Sequence, residues 1–464
     1  MNQARPINRL PPEILAKILE FRQSEEDLIM ATHVCGLWRD TLTSTPYLWT
    51  KIDFEDIVRA SAFLERSRAA LIDVTVAKTR SFLGPEAVFL GAIPWVARMK
   101  SLYIHAEEEQ IKTIAKRLCL PTPNLRSLTL KGRSGRFPSM GNTGGGAIYI
   151  PHEFLGRRAP LLRSLTFSSI SPSVVFNFPL PQLTHIDWVA ETAYVAIEEL
   201  LDLLASSPLV EIIKMHVRVR RTRSHEPLKQ VTLRKLRRLD WGDHEGSISL
   251  MTCLIAPELF DLGLKVTRNP QHSHITLSTF LPLHGSNFPL LVEPKGLEYV
   301  YRPASRTCHF SYEKASVSVR EIPTTRAGNP TIGRWLSPNT PISFERTLEL
   351  TVEGADGCPP LDDIPIHQFE NLRKLTLVGE TDTLAPMIRP NHGISGRSVP
   401  CPLLSEVYIV PKNSNFPLGM LTQALRERRE AGHGVKTARI SGKYRCLEGE
   451  MKELRKFVDE LIAT

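Results

Sequence analysis

Apolar residues recur along this chain as L-x-x-L-x-L, and that recurrence constrains the fold more than any other feature. Met99, Leu102 and Ile104 fit it, as do Leu125, Leu128 and Leu130, then Leu162, Leu165 and Phe167, then Leu183, Ile186 and Trp188. The series continues through Val210, Ile213, Met215; Leu236, Leu239, Trp241; Leu259, Leu262, Leu264; Leu372, Leu375, Leu377; and Leu404, Val407, Ile409. Weaker copies start at Trp49 (Ile52, Phe54), Leu71 (Val74, Val76), Leu348 and Val435. Residues two apart point the same way on a strand, so each copy reads as a short strand with one buried face. Starts at 162, 183, 210, 236 and 259 lie 21, 27, 26 and 23 residues apart. That matches repeats whose period is roughly 20–29 residues. One repeat cannot bury its apolar face alone, and stacked neighbours complete the core. IEELLDLLASSP (197–208) supplies a helical return segment. The expected fold class is α/β, an irregular solenoid bent into a horseshoe. The competing reading is a set of unrelated strands in one compact α/β domain.

Three stretches break the period: the Gly/Ser-rich 132–146, the proline-rich and polar 266–345 with ambiguous repeats around Leu297, and 379–401. In solenoids such insertions gather on one face and shape a binding surface; otherwise they are filler. Thirty-five prolines cut the chain often, so long helices are not expected. LTQALRERREAGHGVKTARI (421–440) reads as a late helix and strand. In EGEMKELRKFVDELIA (448–463), Met451, Leu454, Val458 and Leu461 share one helical face. The expected organisation is a helical module over 1–54, the array over 55–447 and a capping helix over 448–464.

The N-terminal module is built differently. Pro11 and Pro12 suit a helix's first turn, and Ile14, Leu15, Ile18 and Leu19 follow at helical spacing. Ser24 with Asp27 three residues on announces a second helix, carrying Leu28, Ile29, Ala31 and Val34. Leu37, Trp38 and Leu42 mark a third that ends near Pro46, followed by Tyr47, Leu48 and Trp49. Three helices in so few residues bury only part of their apolar surface on each other. The remainder is completed either by a partner or by the chain's own downstream residues. Trp49, Ile52 and Phe54 already follow the repeat spacing, so no flexible linker is expected.

Leu10, Pro11, Glu13, Ile14 and Leu15, then Val34, Cys35 and Trp38, then Leu48 and Trp49 together resemble an F-box. Gly36 departs from the motif, where a basic residue is common. The resemblance implies a partner, the Skp adaptor of a Skp–cullin–F-box ubiquitin ligase, and through it a cullin. It places Leu10, Pro11, Ile14, Leu15, Ile18, Val34, Cys35, Trp38 and Trp49 on the adaptor side. Leu19, Leu28 and Leu42 are left to the module's own core, and Trp38 could serve either purpose. An F-box followed by irregular leucine-rich repeats is similar to the F-box proteins of mushroom-forming fungi. The implied function is a non-catalytic substrate receptor whose repeats hold an unnamed target protein. The alternative is an interaction scaffold acting without a cullin.

Charge and chemistry narrow the remaining options. The net charge is +9, yet residues 1–54 hold six Lys/Arg against seven Asp/Glu, so the excess lies downstream. It concentrates in 214–239, with ten Lys/Arg and one acid, Glu226. Arg218 and Arg220 alternate with Val217 and Val219, and Arg221 and Arg223 follow in a turn. Such residues could hold an acidic or phosphorylated peptide, or nucleic-acid backbone, or form a solvated face. Scarce aromatics weigh against single-strand binding. There is no GxSxG, P-loop or HExxH, and the glycines of 141–146 lack a following Gly-Lys-Ser/Thr. No enzyme, cofactor or metal is expected; His272 and His274 could share a strand face but read as loop residues. Seven scattered cysteines without a CxxC fit reduced thiols in the cytoplasm or nucleus. No run of about 18 apolar residues suggests a membrane span, and MNQARPINRL lacks the apolar core of a secretory signal.

Overall fold

A computed structural model describes residues 6–21, 25–77, 93–133, 151, 153–170, 178–220, 227–244, 248–268, 294, 296–302, 305–311, 316–323, 344–354, 366–378, 388–393, 396–411, 418–441 and 448–463. The fold is mixed α/β and divides into two compact units, Met1–Val210 and Glu211–Thr464.

The first unit opens with α1 (Pro12–Glu20), α2 (Glu25–Thr32) and α3 (Gly36–Thr43), then a 3-10 turn at Pro46–Trp49. Pro12 starts α1, where a missing N–H costs nothing. Ser24 lies outside the described residues. After Thr50 the chain enters β1 (Lys51–Asp53), so the helices run into the first strand without a linker, as the repeat spacing at Trp49 implies. Next come α4 (Ile57–Arg66), β2 (Ile72–Val76), β3 (Met99–Glu107), α5 (Glu108–Arg117), β4 (Ser127–Arg133), β5 (Ser164–Ser168), β6 (His185–Ala196) and α6 (Ile197–Ala205). Strands β1 to β6 pair in sequence order, every neighbour parallel. Leu102, Leu128, Leu165 and Ile186 lie side by side in this register and are buried. The return helices are closed at their starts. Asp56 accepts hydrogen bonds from the N–H groups of Val58 and Arg59, and Glu107 with Gln110 makes a capping box.

The second unit holds β7 (Ile212–Arg220), β8 (Val231–Thr232), β9 (Arg238–His244), α7 (Ile248–Cys253), β10 (Leu254–Ile255), β11 (Asp261–Arg268), β12 (Gly296–Arg302), β13 (Ser305–Ser311), β14 (Ser316–Pro323), β15 (Glu349–Gly354), β16 (Lys374–Val378), β17 (Asn391–Gly393), β18 (Gly396–Ser398), β19 (Glu406–Val410), α8 (Gly419–Glu430), β20 (Thr437–Ile440), α9 (Glu448–Arg455) and β21 (Glu460–Ala463). Its main ladder runs β7-β9-β11-β14-β13-β12-β15-β16-β19-β20-β21.

One hydrogen-bond device recurs in both units. The carbonyl just before a strand accepts two N–H groups from the start of the neighbouring strand. Arg126 O takes them from Arg163 and Ser164 at 2.8 and 3.0 Å; Arg373 O takes them from Ser405 and Glu406, both at 2.9 Å. A turn asparagine recurs too. Asn124 Nδ2 donates to Ala97 O at 2.8 Å, and Asn371 Nδ2 to Glu345 O at 2.7 Å. Both devices satisfy backbone groups that the turns would otherwise bury unpaired.

Three expectations are corrected. The stretch 266–345 is not a plain insertion: it contains the end of β11 and three strands, β12 to β14. Strand β13 is antiparallel to both neighbours, while β14 pairs parallel with β11 and β12 parallel with β15. The irregular 379–401 carries the hairpin β17–β18, and residues 132 and 133 of the first break belong to β4. Residues 134–146, 269–293, 324–343 and 379–387 lie outside the described residues. Finally, the capping helix stops at Arg455, and Glu460–Ala463 forms a strand on β20. The N–H groups of Asp459 and Glu460 both bond to Lys436 O at 2.9 Å. Pairing the open edge of β20 outweighs two more helical turns, because an unpaired edge leaves its backbone groups without partners.

Cys401 sits at the foot of the β17–β18 hairpin in a left-handed conformation, φ 49°. Burial pushes its thiol up to about 12, with Arg428 pulling the other way. The unfolded thiol ionises near 9.0. Its share of stability is therefore whole below pH 9.0 and lost as pH rises toward about 12. Alkylation of the native chain at mildly alkaline pH is expected to spare Cys401 and label the half-buried Cys35, with Cys401 reacting only in denaturant. Mass mapping of labelled peptides checks this, and early labelling of Cys401 would contradict its burial.

Candidate functional site

The three N-terminal helices divide their apolar residues between two faces. Leu15, Ala16 and Leu19 of α1, Leu28 and Ala31 of α2, and Leu42 of α3 are buried together. On the opposite side of α1, Ile14, Ile18 and Phe21 follow at i, i+4 and i+7 and stand exposed, Ile14 by 47% and Phe21 by 77%. Val34 is 55% exposed, and Met30, Leu37 and Tyr47 are exposed as well. So many large apolar groups on one small helical module mark a surface for association.

Most of the residues assigned to the adaptor side fall on accessible surface. Ile14, Ile18, Pro11 and Val34 are exposed, and Leu10, Cys35 and Trp38 are half-buried. Trp38 Nε1 donates to Asn8 Oδ1 at 2.8 Å, which tethers the turn before α1 to α3. Two assignments are corrected. Leu15 is only 3% exposed and belongs to the inward face of α1. Trp49 is fully buried, donating through Nε1 to Leu42 O at 2.8 Å and meeting Phe63 edge to face at 4.8 Å. It fastens α3 to α4 rather than facing a partner. Conversely, the motif gave no reason to pick Phe21 or Met30, although Phe21 continues the i, i+4, i+7 stripe.

Residues 7–55 match the family model of F-box-like domains. No curated protein matches the chain. F-box domains generally bind Skp-type adaptors, so the F-box-like domain points to an adaptor role in a Skp–cullin–F-box ligase. Ile14, Ile18 and Phe21 of that domain stand exposed.

The F-box-like domain is held to the strands behind it. Arg59 of α4 reaches Glu26 at 3.1 Å and Glu25 at 3.6 Å in the first turn of α2. Burial raises the Glu25 carboxyl above its ordinary value, and the Arg59 charge opposes that rise. Arg66 lies over the Trp49 ring at 4.4 Å. With β1 hydrogen-bonded to β2, the N-terminal helices and the first strands share one core.

The basic stretch 214–239 is organised on β7 and β9. Val217 and Val219 point inward, and Lys214, His216 and Arg218 share the outward face. Arg220 ends β7, and Arg221 and Arg223 lie outside the described residues. The neighbouring strands answer part of this charge. His216 Nε2 lies 3.6 Å from Asp240 Oδ1, and Arg238 Nε lies 3.1 Å from Asp261 Oδ2. The hydrogen bond with His216, ahead of nearby cations, holds the Asp240 carboxyl below its ordinary value. The His216 ring also fills the space beside Gly242, where an added Cβ would come within 2.3 Å of Nδ1. Of the four arginines expected to bind a target, only Arg218 has a described side chain, and the strands next to it carry paired charges. His272 and His274 lie outside the described residues, and no His/Cys/Asp/Glu group able to hold a metal occurs among those described.

Proposed function

We propose that the chain is a non-catalytic substrate-recognition subunit of a Skp–cullin–F-box ubiquitin ligase. The observation that carries this is the exposed apolar stripe Ile14–Ile18–Phe21 within the segment matching F-box-like domains. The two strand ladders act as an irregular leucine-rich-repeat-like array that presents a target protein. Attachment through β1 brings the target close to the ligase, raising the local concentration of its lysines near the conjugating enzyme. No described helix is long and apolar enough to cross a membrane, and a cytoplasmic or nuclear location suits this role.

Ile14→Asp with Ile18→Asp is expected to weaken adaptor capture at least about thirtyfold, the scale of losing interface hot spots. Both side chains are solvent-facing, so the unfolding midpoint should stay near wild type. Co-purification with the Skp adaptor measures the first and urea unfolding the second. Undiminished capture would remove α1 from the interface. Cullin in the same eluate supports the ligase role; adaptor without cullin would favour a scaffold.

A further inference from the structure

Asp240 and Asp261 answer His216 and Arg238 on β7 and β9, but the cations in the turn that leads into β9 are not answered in this way. From Pro227 to Leu239 the chain holds five Lys/Arg and no acid. Leu233 and Leu236 are buried, and the Leu236 N–H bonds to Leu233 O at 3.2 Å, so Arg234 and Lys235 stand at an exposed turn tip. Arg237 follows, exposed and fixed on both sides through its backbone. Its N–H bonds to Glu211 O at 2.9 Å, and its carbonyl accepts from the N–H groups of Phe260 and Asp261 at 3.0 and 3.1 Å. Asp261 pairs in register with Arg238, which sets Phe260 beside Arg237 at one strand spacing, about 5 Å. Phe260 is 46% exposed, the one exposed aromatic side chain among the described residues of the second unit. Three acids lie near. Asp261 is paired with Arg238, while Glu211 and Glu258 form no ion pair with Arg234, Lys235 or Arg237.

We infer that this corner binds single-stranded nucleic acid. Arg234, Lys235 and Arg237 contact phosphates, and a base stacks on the open face of Phe260. A single strand offers both at once, charge along its backbone and a π-face on every base. The run 214–239 holds no Phe, Tyr or Trp of its own, and the sheet register brings one from the start of β11. A membrane surface fits less well, because insertion needs a broad apolar face and Phe260 is the single exposed large apolar group at the corner. An acidic peptide supplies charge but nothing that must stack. Phosphate contacts and one stacked base carry no sequence readout, so binding is sequence-tolerant. The site uses no residue of the F-box-like domain and adds a ligand beyond the proposed function.

The full chain is titrated against fluorescent oligo-uridine and oligo-thymidine, followed by anisotropy, at about 50 to 200 mM salt. Saturable binding is expected below about 100 μM at the low-salt end, with log affinity falling against log salt at a slope of about −2, the value for three neutralised phosphates on a single strand. Binding of either strand supports the site, and the tighter one names its source. Arg234→Ala with Arg237→Ala should bring the slope about 1.4 closer to zero. Phe260→Ala should lower affinity about five- to a hundredfold and leave the slope alone, and Phe260→Trp should restore it. Arg373→Ala should change neither quantity; that exposed arginine holds the same position ahead of β16, but beside Leu348 instead of an aromatic residue. All the substituted side chains are exposed, and an unchanged circular-dichroism melt shows the fold intact. Labelled poly-glutamate and vesicles of anionic phospholipid, tried as direct ligands, should bind more weakly than the oligonucleotides. No binding of either strand, an Arg373→Ala variant as weakened as the double one, affinity indifferent to Phe260→Ala, or tighter binding to vesicles or poly-glutamate would each overturn the assignment.

Discussion

Trp49→Ala should cost about 3–5 kcal/mol of stability, the usual price of truncating a fully buried aromatic side chain. The loss would appear as a lower urea midpoint. The expectation rests on what the ring joins. Its Nε1 donates to Leu42 O at the end of α3, its edge contact at 4.8 Å is with Phe63 of α4, and the Arg66 guanidinium covers its face. Removing the indole leaves a void among three elements that cannot all close on it, and a carbonyl without its donor. Trp49→Phe separates the two effects. It keeps most of the bulk and loses the hydrogen bond, so it should cost about 1 kcal/mol. A loss below about 1 kcal/mol for Trp49→Ala would mean that the ring does not fasten the F-box-like domain to the strands. A Phe variant as damaged as the Ala variant would shift the weight from packing to the hydrogen bond.

Trp49 also marks the limit of what could be read from the residues alone. The motif placed it with the adaptor-facing set, because Leu48-Trp49 closes the F-box pattern. Its burial depends on Phe63 and Arg66, which belong to the following helix and not to the motif. The buried faces of the first-unit strands were more legible. Leu102, Leu128, Leu165 and Ile186 align and are buried because alternation on a strand leaves one apolar face, and parallel neighbours bring equivalent positions together. Strand direction was not legible from alternation, which reads the same both ways; that is why β13 was overlooked. A signal did exist. Only two residues separate Arg302 from Ser305, and so short a connection can join only antiparallel strands. The conspicuous run at 214–239 misled for another reason, because Asp240 and Asp261 pair with it from positions outside the run.

The second large effect is expected at Arg428. Its side chain is fully buried on α8 and meets carbonyls from both feet of the β17–β18 hairpin. Nη1 donates to Ile388 O at 3.2 Å and to Pro400 O at 2.6 Å, and Nη2 to Cys401 O at 2.8 Å. Desolvation lowers its pKa, as expected for a charge held by neutral partners. Taking a cation out of water is costly, but removing it here would leave three buried acceptors unsatisfied and release Cys401 from a strained conformation. Arg428→Met, which keeps the apolar volume, should therefore cost about 2–4 kcal/mol. Arg428→Lys should recover less than half, since an ammonium on a shorter stem cannot reproduce the planar fork. The adjacent pair Arg389–Glu427, at 2.6 Å, also ties the hairpin to α8 but is partly solvated. Glu427→Gln should cost no more than about 1 kcal/mol. Limited proteolysis gives the local readout: in the Met variant, cleavage within 388–401 should precede global unfolding. Wild-type protection of that segment in Arg428→Met would show that the hairpin is held by its own backbone and not by the buried guanidinium.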